Sequence, residues 1–280
     1  MQKQISKQLG LSKNVHSKGF SSVGLRSTAE FDIDPFLNLD FFIMSEPTFR
    51  PHPHAGFSAV TYLLPESKGA FQNRDSFGDK SKINPGSIHW TQAGHGMMHE
   101  EVPLIPGENC TGFQIFVNLS QKHKQLNPKA FHASAETIPE IKNSLSTIRV
   151  VAGSYKTLSS PLKGLATPVT LLDVTLESQG SLDLELDPQL RWFLFVISGE
   201  GHTTQGHKIA DQQAVLLSDS GRDFSIHTSA ERFRFLVCGG RPIQEAVIWG
   251  GPFCMNSKEE VMLANDRFRA GQMGSLEPSF

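Results

Sequence analysis

Several features that would fix a function class are scarce or missing in these 280 residues. Cysteine is one: Cys110, Cys238 and Cys254 are an odd number with no CxxC spacing. That excludes a disulfide framework and a thiolate zinc site, and the three read as reduced, semi-buried residues. Long apolar runs are absent as well. The longest, such as Trp192–Ile197, are strand-sized and far below the ~20 residues a spanning helix needs, so no membrane partner is expected. The opening Met1-Gln2-Lys3-Gln4-Ile5 has no apolar signal core, which predicts a cytoplasmic protein. Nor is there a basic excess. Lys and Arg number 26 against 28 Asp and Glu, a net charge of −2, which argues against direct nucleic-acid binding. Local catalytic signatures fail too. Gly56-Phe57-Ser58-Ala59-Val60 lacks the closing glycine of a nucleophile elbow. The run from Gly94 to His99 ends in histidine where a dinucleotide fingerprint ends in glycine.

What is present points to sheet. Twenty Phe, 24 Gly and 16 Pro describe large core side chains separated by frequent turns. Strand-like runs recur at 59–64, 112–117, 170–176 and 233–238, and 181–186 alternates apolar and polar with period two. The spacing predicts an all-β protein built as sandwich or barrel, not alternating βα units. The one clear helix starts at Asn256 or Ser257 and runs toward Arg269, with acids in its first turn. Residues 120–146 are polar, interrupted by Pro128 and Pro139, and read as a connector between two lobes. The expected division is 1–132 and 133–280, each half long enough to bury its own core.

The chemistry concentrates in one place. Five of eleven histidines (His52, His54, His89, His95, His99) fall between residues 52 and 99, where an even spread would put about two. His52 and His54 are two apart, so on a strand both imidazoles enter one face. His99 and Glu101 share a face by the same arithmetic, while Glu100 points away and is expected outward. An antiparallel barrel can bring the pairs together, which makes His52, His54, His99 and Glu101 candidate ligands of a divalent metal. Imidazole plus carboxylate suits Fe(II), Mn, Ni, Co, Cu or Zn, of which Fe(II) is the expected ion. Four protein ligands leave open positions for O2 or a chelating substrate.

At these residues the chain resembles the pirins, bicupin proteins of the cupin superfamily. The resemblance is carried by Asp34-Pro35-Phe36-Leu37-Asn38-Leu39-Asp40, His52-Pro53-His54-Ala55-Gly56-Phe57 and Asn84-Pro85-Gly86. It continues through Trp90, Thr91 and His99-Glu100-Glu101-Val102-Pro103, and in the second half through Ile248–Phe253 and Met255-Asn256. It implies two cupin (jelly-roll) β-barrel domains with a few short helices, and a metal in the first domain on His52, His54, His99 and Glu101. The scattered His202, His207 and His227 imply a second barrel without metal. Four positions depart from the usual pirin pattern: Ala55, Ser58, His89 and His95.

The resemblance further implies a dioxygenase acting with O2 on a flavonol such as quercetin, with Glu101 as ligand and general base. Phe57, Trp90, Met97 and Met98 are candidates for the apolar cavity wall by proximity in sequence. A second expectation from the same resemblance is a metal- or redox-responsive regulator that binds a transcription factor or metabolic enzyme.

Overall fold

The computed structural model describes residues 2–229 and 231–280. Its N-terminal part contains β1 (Ile5–Gly10), β2 (Lys13–Ser17), β3 (Phe20–Arg26), β4 (Phe36–Met44), β5 (His52–His54) and β6 (Phe57–Leu63). There follow β7 (Phe71–Asp75), β8 (Lys82–Ile83), β9 (Ile88–Gln92), β10 (Met97–Pro103), β11 (Cys110–Asn118) and β12 (Lys129–Ala133). A seven-stranded sheet runs β12-β9-β6-β11-β4-β3-β2 and faces a four-stranded sheet β5-β10-β7-β8. The second lobe repeats the plan. One seven-stranded sheet includes 191–198, 233–240 and 169–176 at its centre, and 181–185, 223–227, 200–203 and 208–210 form four strands opposite.

Both faces of the first large sheet are used, and strand period divides the labour. On β11, Phe113, Ile115 and Val117 join the core cluster between the lobes, while Gln114 and Phe116 line a cavity on the other side. On β4, Leu39 belongs to that core, and Asn38, Asp40, Phe42 and Met44 face the cavity. Edge-to-face rings lock the lobes together: Phe113 on Phe195 at 5.3 Å and Phe36 on Phe193 at 5.2 Å. At one margin of this core Asp173 receives the Tyr62 hydroxyl at 2.7 Å and the Arg234 guanidinium at 2.6 and 2.9 Å. A buried carboxylate is tolerable only with such partners.

The chain ends are exchanged between lobes. Strand β1 pairs with 213–217 at the edge of the second large sheet. In return, the hairpin 248–255, helix α1 (Lys258–Arg269) and the tail pack on the first lobe. Ser257 is the N-cap of α1, accepting from the Glu260 amide at 3.1 Å, and the Glu260 carboxylate accepts from the Asn256 amide at 2.8 Å. The 120–146 segment is more ordered than a bare connector, since β12 pairs with β9 as an edge strand. The boundary at 132/133, which we keep as a proposal for chain connectivity, therefore lies at the end of β12.

Candidate metal centre

The short strand β5 is held against β10 in antiparallel register, with His52 opposite His99 and His54 opposite Met97. Residues opposite each other share a face, so all three imidazoles enter the space between the two sheets. Their ring centroids lie 4.7 to 4.8 Å apart, and one nitrogen from each falls within 4.8 Å of the others, a group able to hold a metal ion. The turn after His54 needs Gly56, whose φ of +86° suits glycine. A Cβ there would also collide with the Cys254 carbonyl. That carbonyl accepts from the buried Lys124 ammonium at 2.8 Å, so the returning C-terminal hairpin braces β5 from behind.

Burial sets the protonation of the cluster. Desolvation pushes His54 down to about 3, and His99 and His52 also below their ordinary value, with the neighbouring imidazoles adding to the effect at His54 and His99. Neutral imidazoles are the form a metal binds. His52 Nδ1 lies 2.9 Å from the Arg50 carbonyl, which orients the ring and leaves Nε2 for ligation. Glu101 lines the same cavity without belonging to the close trio, and the Thr61 hydroxyl donates to its Oε2 at 2.5 Å. Burial pushes its carboxyl up to about 7 against the lowering effect of that hydrogen bond.

The cavity has a volume of about 600 Å³ and is lined by the histidines together with residues of β2 and β3. Its apolar wall is Phe20, Phe42, Met44, Phe49, Phe71 and Phe116, not the four residues suggested by sequence proximity. Phe57, Trp90 and Met97 are fully buried packing residues, and Met98 does not line the cavity. The difference has a plain cause: a barrel wall is assembled from strands distant in sequence, here β3, β4 and β11. A signal was available in β4, where Asn38 and Asp40 share a strand face with Phe42 and Met44.

Glu100 corrects a second expectation. It does face away from the histidines, yet it is fully buried and ion-paired with Arg74, whose Nε lies 2.8 Å from Oε1. Strand period gives the face and not its exposure. This face is covered by the C-terminal tail, where Arg74 Nη2 donates to the Glu277 carbonyl at 2.6 Å and Ser76 donates to the Met273 carbonyl at 2.8 Å.

The departing positions sit around the centre and not in the cavity wall. Ala55 packs with Phe253, Met255, Ala264 and Met273. Ser58 is buried, and His95 approaches Asn127 at 3.1 Å. His89 is buried within 4.0 Å of Asp79 and pushed down to about 4 by desolvation. In the second lobe His202 and His227 are less scattered than their spacing suggests: they are cross-strand partners with centroids 5.9 Å apart.

Residues 13–117 match the pirin family and residues 171–274 the pirin C-terminal cupin domain. A pirin-like protein of Solanum lycopersicum is 34% identical over 252 residues, which is 87% of this chain and 83% of that one. The chain belongs to the pirin family. Pirin of Homo sapiens is 31% identical, over 87% of this pirin and 84% of its own length. The crystal structure of a quercetin 2,3-dioxygenase from Acinetobacter baumannii superposes with a TM-score of 0.88 at 27% identity, covering 99% of this pirin and all of that chain. The all-β, two-cupin architecture expected from the motifs is thereby borne out. No helix among the described residues is long and apolar enough to cross a membrane.

Proposed function

We propose that this pirin is a metal-dependent dioxygenase that opens a flavonol such as quercetin with O2. The observation that carries the reading is the convergence of three neutral imidazoles at one end of a 600 Å³ cavity walled by aromatic rings. The likeness to a quercetin 2,3-dioxygenase supports it. His52, His54, His99 and Glu101 would hold the ion. The donor set fits: three neutral imidazoles and one carboxylate, with no thiolate, a set that suits Fe(II), the ion expected here, as well as Mn, Ni, Co, Cu or Zn. When bound, the metal supplies Lewis acidity toward a chelating oxygen pair and one-electron chemistry with dioxygen.

The chain's own groups do the rest. Phe20, Phe42, Phe49 and Phe116 give a flat aromatic substrate an apolar berth and exclude water around it. Glu101 takes the proton of the substrate's chelating hydroxyl. Thr61 uses one acceptor site of Oε2, which leaves Oε1 and the remaining Oε2 site for the ion and the proton. Burial raises this carboxyl to about 7 in the metal-free protein, an environment that favours taking up a proton.

The test is oxygen uptake by Fe(II)-reconstituted protein with quercetin, against a metal-free control. Metal-dependent uptake with loss of the flavonol absorbance is expected. Absence of uptake by protein shown to hold its metal would overturn the reading and move weight to the regulatory alternative.

A further inference from the structure

The cavity wall facing the histidines contains polar groups that metal ligation does not use. Thr61, Gln114 and Asp40 are in register across β6, β11 and β4, with Thr61 opposite Gln114 and Gln114 opposite Asp40. The row begins at Glu101, through its bond from Thr61, and ends at Asp40. Asp40 is fixed from both sides: Oδ1 accepts from Arg26 Nη2 at 2.9 Å and Oδ2 from Asn38 Nδ2 at 2.9 Å. Asn38 is only 7% exposed, and its Oδ1 has no hydrogen-bond partner. Burying the unpaired Asn38 amide oxygen, next to a half-buried carboxylate and beside Phe42, Met44 and Phe116, costs free energy that folding alone would avoid with apolar residues.

Placement and valence suggest what the group is for. Two strand spacings separate Thr61 from Asp40, roughly 10 Å, about the length of a flat multi-ring aromatic. Each Asp40 oxygen uses one of its acceptor sites on Arg26 or Asn38 and keeps another. Arg26 neutralises the carboxylate charge, so the spare capacity favours a neutral hydrogen-bond donor over a cation.

We propose that Asp40, positioned by Asn38 and Arg26, is the distal anchor of the substrate and accepts a hydrogen bond from a hydroxyl of the pendant ring, at the end remote from the metal. The substrate class is then a polyphenol with hydroxyls at both ends. This rests on the flavonol reading above and sharpens it.

The experiment is anaerobic titration of Zn(II)-loaded protein with quercetin and with galangin, the flavonol that lacks quercetin's pendant-ring hydroxyls. Wild type is expected to bind quercetin about tenfold more tightly, the scale of one well-placed hydrogen bond. Asp40→Ala should bring quercetin to the galangin level and leave galangin unchanged. Asp40→Asn, which keeps an acceptor oxygen, should restore part of the preference. Metal content and circular dichroism establish that each variant is folded and loaded. Asn38→Leu gives the same readout should Asp40→Ala fold poorly, with an expected loss of preference of several-fold. Equal binding of both flavonols by wild type, or a preference that survives Asp40→Ala, would overturn the anchor alone. Failure of loaded wild type to bind either flavonol would overturn the flavonol reading beneath it.

Discussion

In the C-terminal lobe the space between the sheets is filled. Val150, Leu172, Val174, Leu194 and Phe235 from the large sheet meet Leu184, Phe224 and Ile226 from the small one. Its two paired histidines lie on the other face: Ile226 is buried and the next residue, His227, is exposed. In the N-terminal lobe the same seven-plus-four arrangement turns His52, His54 and His99 inward and leaves 600 Å³ open beside them. One-residue differences in which strand positions are histidine therefore separate a packed barrel from a hollow one. The exchanged hairpin packs Phe253 and Met255 on Ala55 and Cys254 on Phe57, on either side of the turn that follows β5.

The comparison breaks most severely at the inward imidazoles. His54→Ala should reduce metal affinity by more than about 100-fold, beyond the 10–100-fold typical of groups that merely orient a ligand. Circular dichroism should show both barrels intact. Equilibrium dialysis with Fe(II) or Ni(II) checks it, and undiminished metal content would remove His54 from the ligand set.

The next largest effect lies on the reverse face of the same sheet. Glu100→Ala leaves Arg74 without its buried partner and should lower stability by about 2–4 kcal/mol, in the range for breaking a buried pair whose other half is partly exposed. Arg74→Met combined with Glu100→Gln should recover most of that loss, because both charges go together. Urea midpoints decide it. A shift under about 0.5 kcal/mol for Glu100→Ala would mean that the tail does not cover this face in solution.

These two sites also mark how far the sequence was legible. The imidazole pairs could be read because the two-residue strand period is local: His52 with His54, and His99 with Glu101, need no knowledge of the rest of the chain. The cavity wall could not, since Phe20, Phe42 and Phe116 come from three strands whose adjacency is a property of the whole sheet. The same is true of Glu100, whose burial depends on residues some 175 positions later. The hydrogen bond from Thr61 to Glu101 is likewise a cross-strand relation.

Acid sharpens the comparison by a smaller amount. In metal-free protein His54 is held at about 3 and His99 well below its ordinary value, while their unfolded counterparts titrate near 6.5. Below pH 6.5 the unfolded chain gains protons that the folded chain refuses, so stability falls as pH falls. Glu101 has the opposite sign. Held at about 7, it is protonated in the fold before the unfolded chain follows near 4.5, and it stabilises the fold through that interval. His52 and the buried His89, at about 4, act in the same direction, so these imidazoles outweigh one carboxyl and the net loss between pH 6 and 5 should be at least about 1.4 kcal/mol per pH unit. Glu101→Gln removes the offset and should steepen the fall. Urea midpoints from pH 8 to 5 measure both slopes, and a midpoint that rises on acidification would contradict buried neutral imidazoles.

The smallest expected effect is the control that gives the others meaning. The rings of His202 and His227 lie 5.9 Å apart, wider than the 4.7 to 4.8 Å of the inward trio, and one is exposed and the other half-buried on the outer face. A pair of imidazoles without a third donor or a dry cavity binds a divalent ion weakly, because water competes for every open position. Replacing both with Ala should leave metal stoichiometry unchanged and move stability by less than about 0.5 kcal/mol, as for ordinary surface substitutions. If the double variant instead lost one equivalent of bound metal, orientation toward the barrel interior would not be what distinguishes the two lobes. The second pair would then have to be counted as a site in its own right.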